Sequence, residues 1–521
     1  MRVSFFVPPG GYFAERWSHG TLMPALGILY MAAVLEENGV EVDVTPSHVL
    51  EMSWRDIARK IESDKPDVVG ITTTTENRFL AFKLAEVAKQ ARPQTFVVMG
   101  GPHFKNTAQD TLSHLPYVDG VVVGEGELTM LELVKAMGAK GDLRKVNGLS
   151  FRRNGDIIHN PHRDLIPDLN VLPLPARHLE PFEKYNFKMD IPGVGELPAA
   201  NLMTSRGCPF TCNFCATPTN WGTNVRGITP ENVVKEIEHL IDRYGAQAIW
   251  FYDDTFNYKR HRAFELMNLM IERKLNVRWY AEVRVDIMTK ELFVRMVEAG
   301  CYHLGFGIES ANQRIARDII TKRATLKHAF DVIDWCNEYG IIASPGFIFS
   351  HPTETWEEAQ ETIQVIEALQ DRAQCGVSIL HIYPGIALEK RAIEEGKFPR
   401  DYSWTKKRDK RVILLPAAQG HVPLYQDKLT WWQISELIFR FAESRRFSLW
   451  SQLKKVPQVL ASIYSWGDVK RYSIMFLVFC RIKATRLMNK NGRPPTGEGQ
   501  PLGPPLTCST MYKQGQEAHH A

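Results

Sequence analysis

The chain has 521 residues, of which 44% are apolar and 23% charged, with a formal net charge of +4. That length predicts two or three domains, and the composition is that of a globular protein. Eight cysteines in so long a chain exclude a disulfide scaffold, and the small net charge gives no argument for nucleic acid.

Met1-Arg-Val-Ser-Phe-Phe-Val-Pro-Pro-Gly10 reads as a first strand and turn; it lacks the charged start and long apolar core of a signal peptide. No apolar run approaches the length of a membrane span. A helix-like stretch from Leu26 to Asn38 follows, and Gly39 ends it. Val40–Val44, Val68–Thr72, Thr95–Met99 and Val118–Val123 read as further strands with helical segments between them. Such alternation predicts a parallel sheet covered on both faces, with ligands at the carboxyl ends of its strands. Those ends read Thr72-Thr-Thr-Thr75, Gly100-Gly-Pro-His103 and Gly124-Glu-Gly-Glu127. Small residues there admit a bulky ligand; they also simply make turns.

Residues 141–195 read as a connector, and the Pro, Asp and Leu of Leu165–Pro175 disfavour regular structure there. From Pro198 the alternation resumes in six apolar runs: Ala199–Thr204, Ala248–Tyr252, Arg278–Val283, His303–Ile308, Ile342–Ser350 and Gly376–Ile382. Pro230–Tyr244 reads as a helix opened by proline, with Thr229 as its N-cap.

Just after the first of these runs stands Thr204-Ser-Arg-Gly-Cys-Pro-Phe-Thr-Cys-Asn-Phe-Cys-Ala216. Three close thiolates, Cys208, Cys212 and Cys215, can hold three irons of a [4Fe-4S] cluster and leave the fourth iron open to a chelating ligand. A structural zinc ion is the competing use, but it needs a fourth ligand. Cys301, Cys336, Cys375, Cys480 and Cys508 are scattered singly. Free thiols of this kind point to a reducing cytoplasm.

The CxxxCxxC run, with Phe214 before its last cysteine, resembles the radical S-adenosylmethionine (SAM) superfamily. The resemblance implies that the open iron binds the amino and carboxylate groups of SAM. One electron then cleaves SAM to methionine and a 5′-deoxyadenosyl radical, which takes hydrogen from an unactivated carbon. Upstream, the GGPH and GEGE segments are similar to those of the cobalamin-binding domain in cobalamin-dependent radical SAM enzymes of the class B methyltransferase type. That likeness covers roughly residues 1–140 and implies cobalamin contacts at Thr72, Thr73, Gly100, Gly101, His103, Gly124 and Glu125. The DxHxxG motif that supplies a lower cobalt ligand in other cobalamin proteins is absent, and His19, His48, His103 and His114 lie outside such a context.

The implied fold is α/β: a Rossmann-like cobalamin-binding domain (1–140), a connector (141–195), a partial (β/α)6 radical SAM barrel (196–400), a helical basic region (401–490) and a disordered tail (491–521). At the barrel strand ends the resemblance implies SAM contacts. Asp253 or Asp254 would meet the ammonium, and acidic oxygens are what an ammonium requires. Glu282, Arg284 and Asp286 alternate and share a face; Arg284 could clamp the SAM carboxylate bidentately. Glu309 and Ser310 match a position that meets ribose or carboxylate. Pro345–Ser350 is an apolar run suited to lie beside adenine.

Beyond residue 400, Trp431–Phe441 has helical apolar spacing. Arg445–Lys490 carries ten Lys/Arg and one acidic residue, Asp468. A basic amphipathic segment can lie on an anionic membrane surface, or cap the barrel mouth; nucleic acid is the weakest of the three options. The leading expectation is therefore a cobalamin-dependent C-methyltransferase, acting on a hopanoid-type lipid or another hydrophobic substrate, with ferredoxin or flavodoxin as electron donor. The SRGCPFTCNFC run is also similar to that of the anaerobic magnesium-protoporphyrin ester cyclase, so an oxidative cyclase is the alternative. A cobalamin-binding regulator with a degenerate barrel is a third, against which the intact cysteine triad argues.

Overall fold

The computed structural model describes residues 1–9, 23–414, 421–444, 463 and 465–491, with side chains of the last helix described through Ala484. The expected disordered tail beyond Asn491, His19, Cys508 and the basic run over 445–462 lie outside the described residues. Two compact units emerge. The first holds Met1–Glu282, Arg295–Tyr302 and His381–Leu424; the second holds Val283–Val294, His303–Leu380 and the chain from Tyr425 onward.

The first unit contains a sheet of seven described strands: β1 (Arg2–Val7), β2 (Glu41–Pro46), β3 (Val68–Thr72), β4 (Phe96–Gly100), β5 (Gly120–Val122), β6 (Leu149–Arg153) and β7 (Asp156–His159), in the order β2-β1-β3-β4-β5-β6-β7. β1 to β5 are parallel. Side chains alternate between faces, and in β1, β3, β4 and β5 both faces are largely buried, so these strands read as mostly apolar runs; the edge strand β2 carries Glu41 and Asp43 on one face. Phe6, Val69, Val97 and Val121 join one core, with the helices Trp54–Asp64 and Arg78–Ala91. Phe5, Val68, Val98 and Val122 join the other, with the helices Leu26–Glu37 and Glu127–Gly138.

β6 and β7 add antiparallel to this sheet. Both lie within the stretch read from sequence as a connector. Their turn is Asn154-Gly155, both at positive φ (53° and 91°), which is the geometry a two-residue hairpin requires. Arg78 opens its helix fully buried, its pKa lowered by burial to about 10. Its Nε donates to Trp404 O at 2.9 Å and its Nη2 to His421 O at 3.0 Å.

The same unit continues with β8 (Lys188–Ile191), β9 (Gly195–Leu202), the two-residue strands β10 (Ser205–Arg206) and β11 (Arg226–Gly227), β12 (Ala248–Phe251) and β13 (Arg278–Glu282). β9, β12 and β13 pair in parallel. The helix Pro230–Tyr244 begins at proline and ends on Gly245 in the left-handed region (φ 65°), as a helix stop favours. Thr229 has the extended backbone of an N-cap, but its side chain makes no capping bond; its hydroxyl donates to Asn170 Oδ1 at 3.1 Å.

The second unit holds most of β14 (Cys301–Glu309), with β15 (Ile342–Phe349) parallel to it and β16 (Gly376–Ile379) parallel to β15. Between them lie the helices Leu326–Glu338 and Trp356–Ala368. Each has a capping box, Thr325 with His328 and Thr355 with Glu358. The helix Trp431–Ser444 packs on Trp356–Ala368 and on the final helix, Trp466–Asn491. β9, β12, β13, β14, β15 and β16, with their helices, are the strand set of the partial (β/α)6 barrel expected from sequence. Among the described residues no helix is long and apolar enough to cross a membrane.

Candidate functional site

The cysteine loop hangs from the end of β9 and is fastened on both sides. Before it, Thr204 donates its N–H (3.1 Å) and its hydroxyl (2.8 Å) to Asp253, and the Ser205 hydroxyl donates to the same carboxylate. After it, the Thr217 hydroxyl donates to Asp254 at 2.8 Å. Asp253 and Asp254 follow β12, so the strand adjacent to β9 pins the loop. Asp253 is buried (3% exposed). Burial raises its pKa; the Ser205 hydroxyl and the Arg262 guanidinium oppose that. Asp254 is exposed, and its pKa is raised by desolvation and by the Asp253 charge.

Cys208, Cys212, Phe214 and Cys215 are half-buried, and none of the three cysteines forms a disulfide. The Cys215 N–H donates to Cys212 O at 3.0 Å, closing a turn between two of them. Cys208 Sγ lies 3.3 Å from Thr255 Oγ1. Burial raises the Cys215 thiol, while the Thr217 N–H, donated to its sulfur at 3.4 Å, works the other way. Among the described residues no three His, Cys, Asp or Glu side chains are gathered as a single metal ion needs. A [4Fe-4S] cluster takes a different iron with each thiolate, so its ligands need not converge on one point. Three thiols on one anchored loop fit that group.

Glu282, at the end of β13, is exposed and accepts the Tyr280 hydroxyl. The remaining expected SAM residues belong to the second unit. There Arg284 grips Asp286 with both arms of its fork, Nε to Oδ1 at 2.9 Å and Nη2 to Oδ2 at 2.7 Å. Burial would raise the Asp286 pKa, but Arg284 brings it below the ordinary carboxylate range. Glu309 pairs with Lys322 at 2.8 Å, in the left-handed region at φ 68°. Ser310 Oγ lies 3.2 Å from Thr362 Oγ1. The structure therefore pairs Arg284 with Asp286, which the alternation had placed on its face, and Glu309 with Lys322, which spacing did not announce.

At the carboxyl edge of the first sheet, Thr72 ends β3 and Gly100 ends β4. Gly101 has φ +112° and ψ 179°, and a Cβ there would lie 2.5 Å from Thr73 O. Gly124 has φ +90° with nothing within 4 Å of where a Cβ would stand. The Thr73 hydroxyl is buried without a hydrogen-bond partner. Open space, missing side chains and an orphaned hydroxyl fit a large ligand such as cobalamin. His103 is wholly buried, with ring contacts to Phe82, Phe104 and Trp404 and its Nδ1 3.2 Å from Thr75 Oγ1. Burial lowers its pKa well below the usual histidine value, so it braces the loop as a neutral ring. Glu125 is also buried; it accepts Arg206 Nη1 at 2.8 Å and Arg226 Nη1 at 2.8 Å. Arg206, Arg226, Thr217 and Thr255 are the site residues that sequence reading missed.

Comparison with known proteins follows this division. A B12 binding domain matches residues 18–134, and the radical SAM superfamily matches residues 202–366. The chain is 37% identical over 394 residues to an uncharacterised methyltransferase of Pyrococcus horikoshii, covering 75% of this chain and 83% of that protein. It is 30% identical over 376 residues to the anaerobic magnesium-protoporphyrin IX monomethyl ester cyclase of Rubrivivax gelatinosus, covering 70% of this chain and 65% of that enzyme. Among solved structures, the radical SAM methyltransferase TsrM of Kitasatospora setae, with cobalamin and a [4Fe-4S] cluster bound, shares the fold. Its TM-score is 0.68 at 17% identity, over 92% of this chain and 99% of that one.

Proposed function

The chain belongs to the cobalamin-dependent radical SAM enzymes, and from that premise we propose that it is a C-methyltransferase acting on an unactivated carbon of a hydrophobic substrate. The observation that carries methyl transfer is the 37% identity to a methyltransferase over three quarters of the chain. The chemistry supplied by the bound groups is a methyl group on cobalamin and hydrogen abstraction driven by SAM at the cluster.

The protein's part is to hold and orient. Cys208, Cys212 and Cys215 would hold three irons. Thr72, Thr73, Gly100, Gly101 and Gly124 would line the cobalamin. Of the two aspartates, Asp254 is the better partner for the SAM ammonium, because Asp253 already accepts three donors from Thr204 and Ser205. Asp254→Asn is expected to weaken SAM binding about tenfold or more, the loss of one charge-assisted hydrogen bond, with at most a small change in melting temperature, because the asparagine oxygen can still accept the Thr217 hydroxyl. Equilibrium dialysis with labelled SAM measures it; unchanged affinity would remove Asp254 from the site.

Incubation of the reduced enzyme with SAM and its substrate tests the reaction class. Methyl transfer yields S-adenosylhomocysteine in step with a product heavier by one methylene. The 30% identity to the cyclase favours a second reading on the same residues, oxidative ring formation, for which deoxyadenosine would form without S-adenosylhomocysteine.

Support for a substrate drawn from a membrane surface comes from the helix Trp466–Asn491. Trp466, Val469, Phe476 and Leu477 are exposed, 36% to 87%, with exposed Lys470 and Arg481 among them. The opposite side of the helix faces Trp431, whose Nε1 donates to Arg471 O at 3.1 Å. Apolar and basic residues together suit an anionic bilayer surface. Full-length protein is expected to pellet with phosphatidylserine-containing vesicles. A chain with Trp466, Phe476 and Leu477 all changed to serine is expected to bind them at least about tenfold less, since each buried side chain contributes over 1 kcal/mol. Equal pelleting would remove the membrane from the proposal.

A further inference from the structure

The GEGE run and the arginine before the cysteines are joined by a buried ionic network. β10 and β11 pair antiparallel with Arg206 opposite Arg226, so the register brings two guanidinium groups to one place. Facing them are Glu125, in the loop after β5, and Glu127, at the start of the helix Glu127–Gly138. Arg206 donates Nη1 to Glu125 at 2.8 Å and Nη2 to Glu127 at 2.6 Å. Arg226 Nη1 donates to both oxygens of Glu125, at 2.8 and 2.9 Å, and to Ile166 O at 2.7 Å. All four side chains are at most 6% exposed.

The surroundings show what Arg206 connects. Its guanidinium lies 5.4 Å from the ring of Tyr30, on the helix Leu26–Glu37, and 5.4 Å from that of Trp221, just after the cysteines. Only Gly207, at φ +99°, separates it from Cys208. Between the two glutamates, Gly126 packs against Met31, where a Cβ would lie 2.4 Å from Sδ. Two carboxylates balance two guanidinium groups. The network is not filled, however: Glu127 Oε2 and Arg226 Nε and Nη2 are buried without partners. A buried ionic cluster with idle hydrogen-bonding capacity is a poor device for stability alone, and setting register is the best-attested use of such clusters.

We propose that Glu125, Glu127, Arg206 and Arg226 are positioning residues that fix the cysteine loop against the cobalamin-binding sheet. The GEGE glutamates then align the two cofactors with each other and touch neither. The network reaches Cys208 through one glycine on one side and β5 through Val123 and Gly124 on the other, so loosening it shifts the loop relative to the sheet without removing a ligand from either group. A displacement of about 1 Å between reacting centres costs on the order of a hundredfold in rate.

The test uses the full chain with both groups loaded, and two variants. Arg206→Lys keeps the charge but loses the two-armed reach. The double change Arg206→Met and Glu127→Met removes one pair as a neutral unit and leaves Glu125 with Arg226, so it preserves charge balance if the single variant folds poorly. The readouts are iron and cobalamin per chain, and the magnetic interaction between the reduced cluster and cob(II)alamin in the electron paramagnetic resonance spectrum. The expected result is wild-type iron and cobalamin content in the double variant and an altered cluster–cobalt interaction, while SAM is still cleaved to deoxyadenosine. An unchanged interaction in both variants overturns the proposal, and so does loss of iron in both, which would make Arg206 a residue of loop folding. The inference rests on the assignment of the two cofactors; wild-type protein that took up iron but no cobalamin would overturn that assignment before any variant was made.

Discussion

A Cys208→Ala chain is expected to fold and to bind cobalamin like its parent, yet to hold little iron and cleave no SAM. The loop keeps its shape without this thiol. Asp253 still anchors Thr204 and Ser205, Asp254 still holds Thr217, and Arg206 still reaches Glu125 and Glu127. Cys208 is half-buried, so the change costs about 1 kcal/mol or less of stability. What it removes is one of three thiolates, and the scattered cysteines offer no replacement on that loop. Iron and sulfide analysis after anaerobic reconstitution, with deoxyadenosine measured alongside, checks the result. Deoxyadenosine at the parent's rate would show that the cluster sits elsewhere.

Gly101→Ala is expected to do the reverse: cobalamin is lost and the cluster retained. The backbone at Gly101 (φ +112°, ψ 179°) lies in a region almost closed to other residues, which costs about 1–3 kcal/mol. The added Cβ would also lie 2.5 Å from Thr73 O and 3.0 Å from Thr73 N, and rigid backbone cannot give way cheaply. Thr73 in turn donates its N–H to Gly100 O at 2.9 Å, so the strain spreads to the loops after β3 and β4 together. A total near 3 kcal/mol or more is a large part of the roughly 5–15 kcal/mol that holds a domain folded. Cobalamin affinity should fall about tenfold if half of that cost lands on the bound state, and about a hundredfold if nearly all of it does. Retained affinity with a lowered melting temperature would confine Gly101 to a structural role.

The architecture was legible where burial was two-sided. β1, β3, β4 and β5 carry apolar residues on both faces, so runs such as Val68–Thr72 stood out. β6 and β7 carry Arg152, Arg153 and Asp156 and extend one edge of the sheet; only the Asn154-Gly155 pair marked them. The cysteine triad was legible because its chemistry is local, three residues within eight positions. The partners of the site were not. Arg206 and Glu125 are 81 residues apart, and no periodicity links residues that meet only after two sheets have formed. His103 shows the same limit: GGPH reads as a strand end open to a ligand, but the adjacent Phe104, with Phe82 and Trp404 from distant segments, encloses the ring.

Arg78 sets an order on how this protein can be made. Its guanidinium is fully enclosed, and two of its acceptors, Trp404 O and His421 O, lie 326 and 343 residues further along the chain. A ribosome adding about 5–20 residues per second needs on the order of tens of seconds to supply them. Through that interval the nascent first sheet carries a cation it cannot bury. Its final closure waits on the arrival of residues 404–421, so a chain cut short before them retains a poorly closed sheet edge, a target for chaperones and proteases.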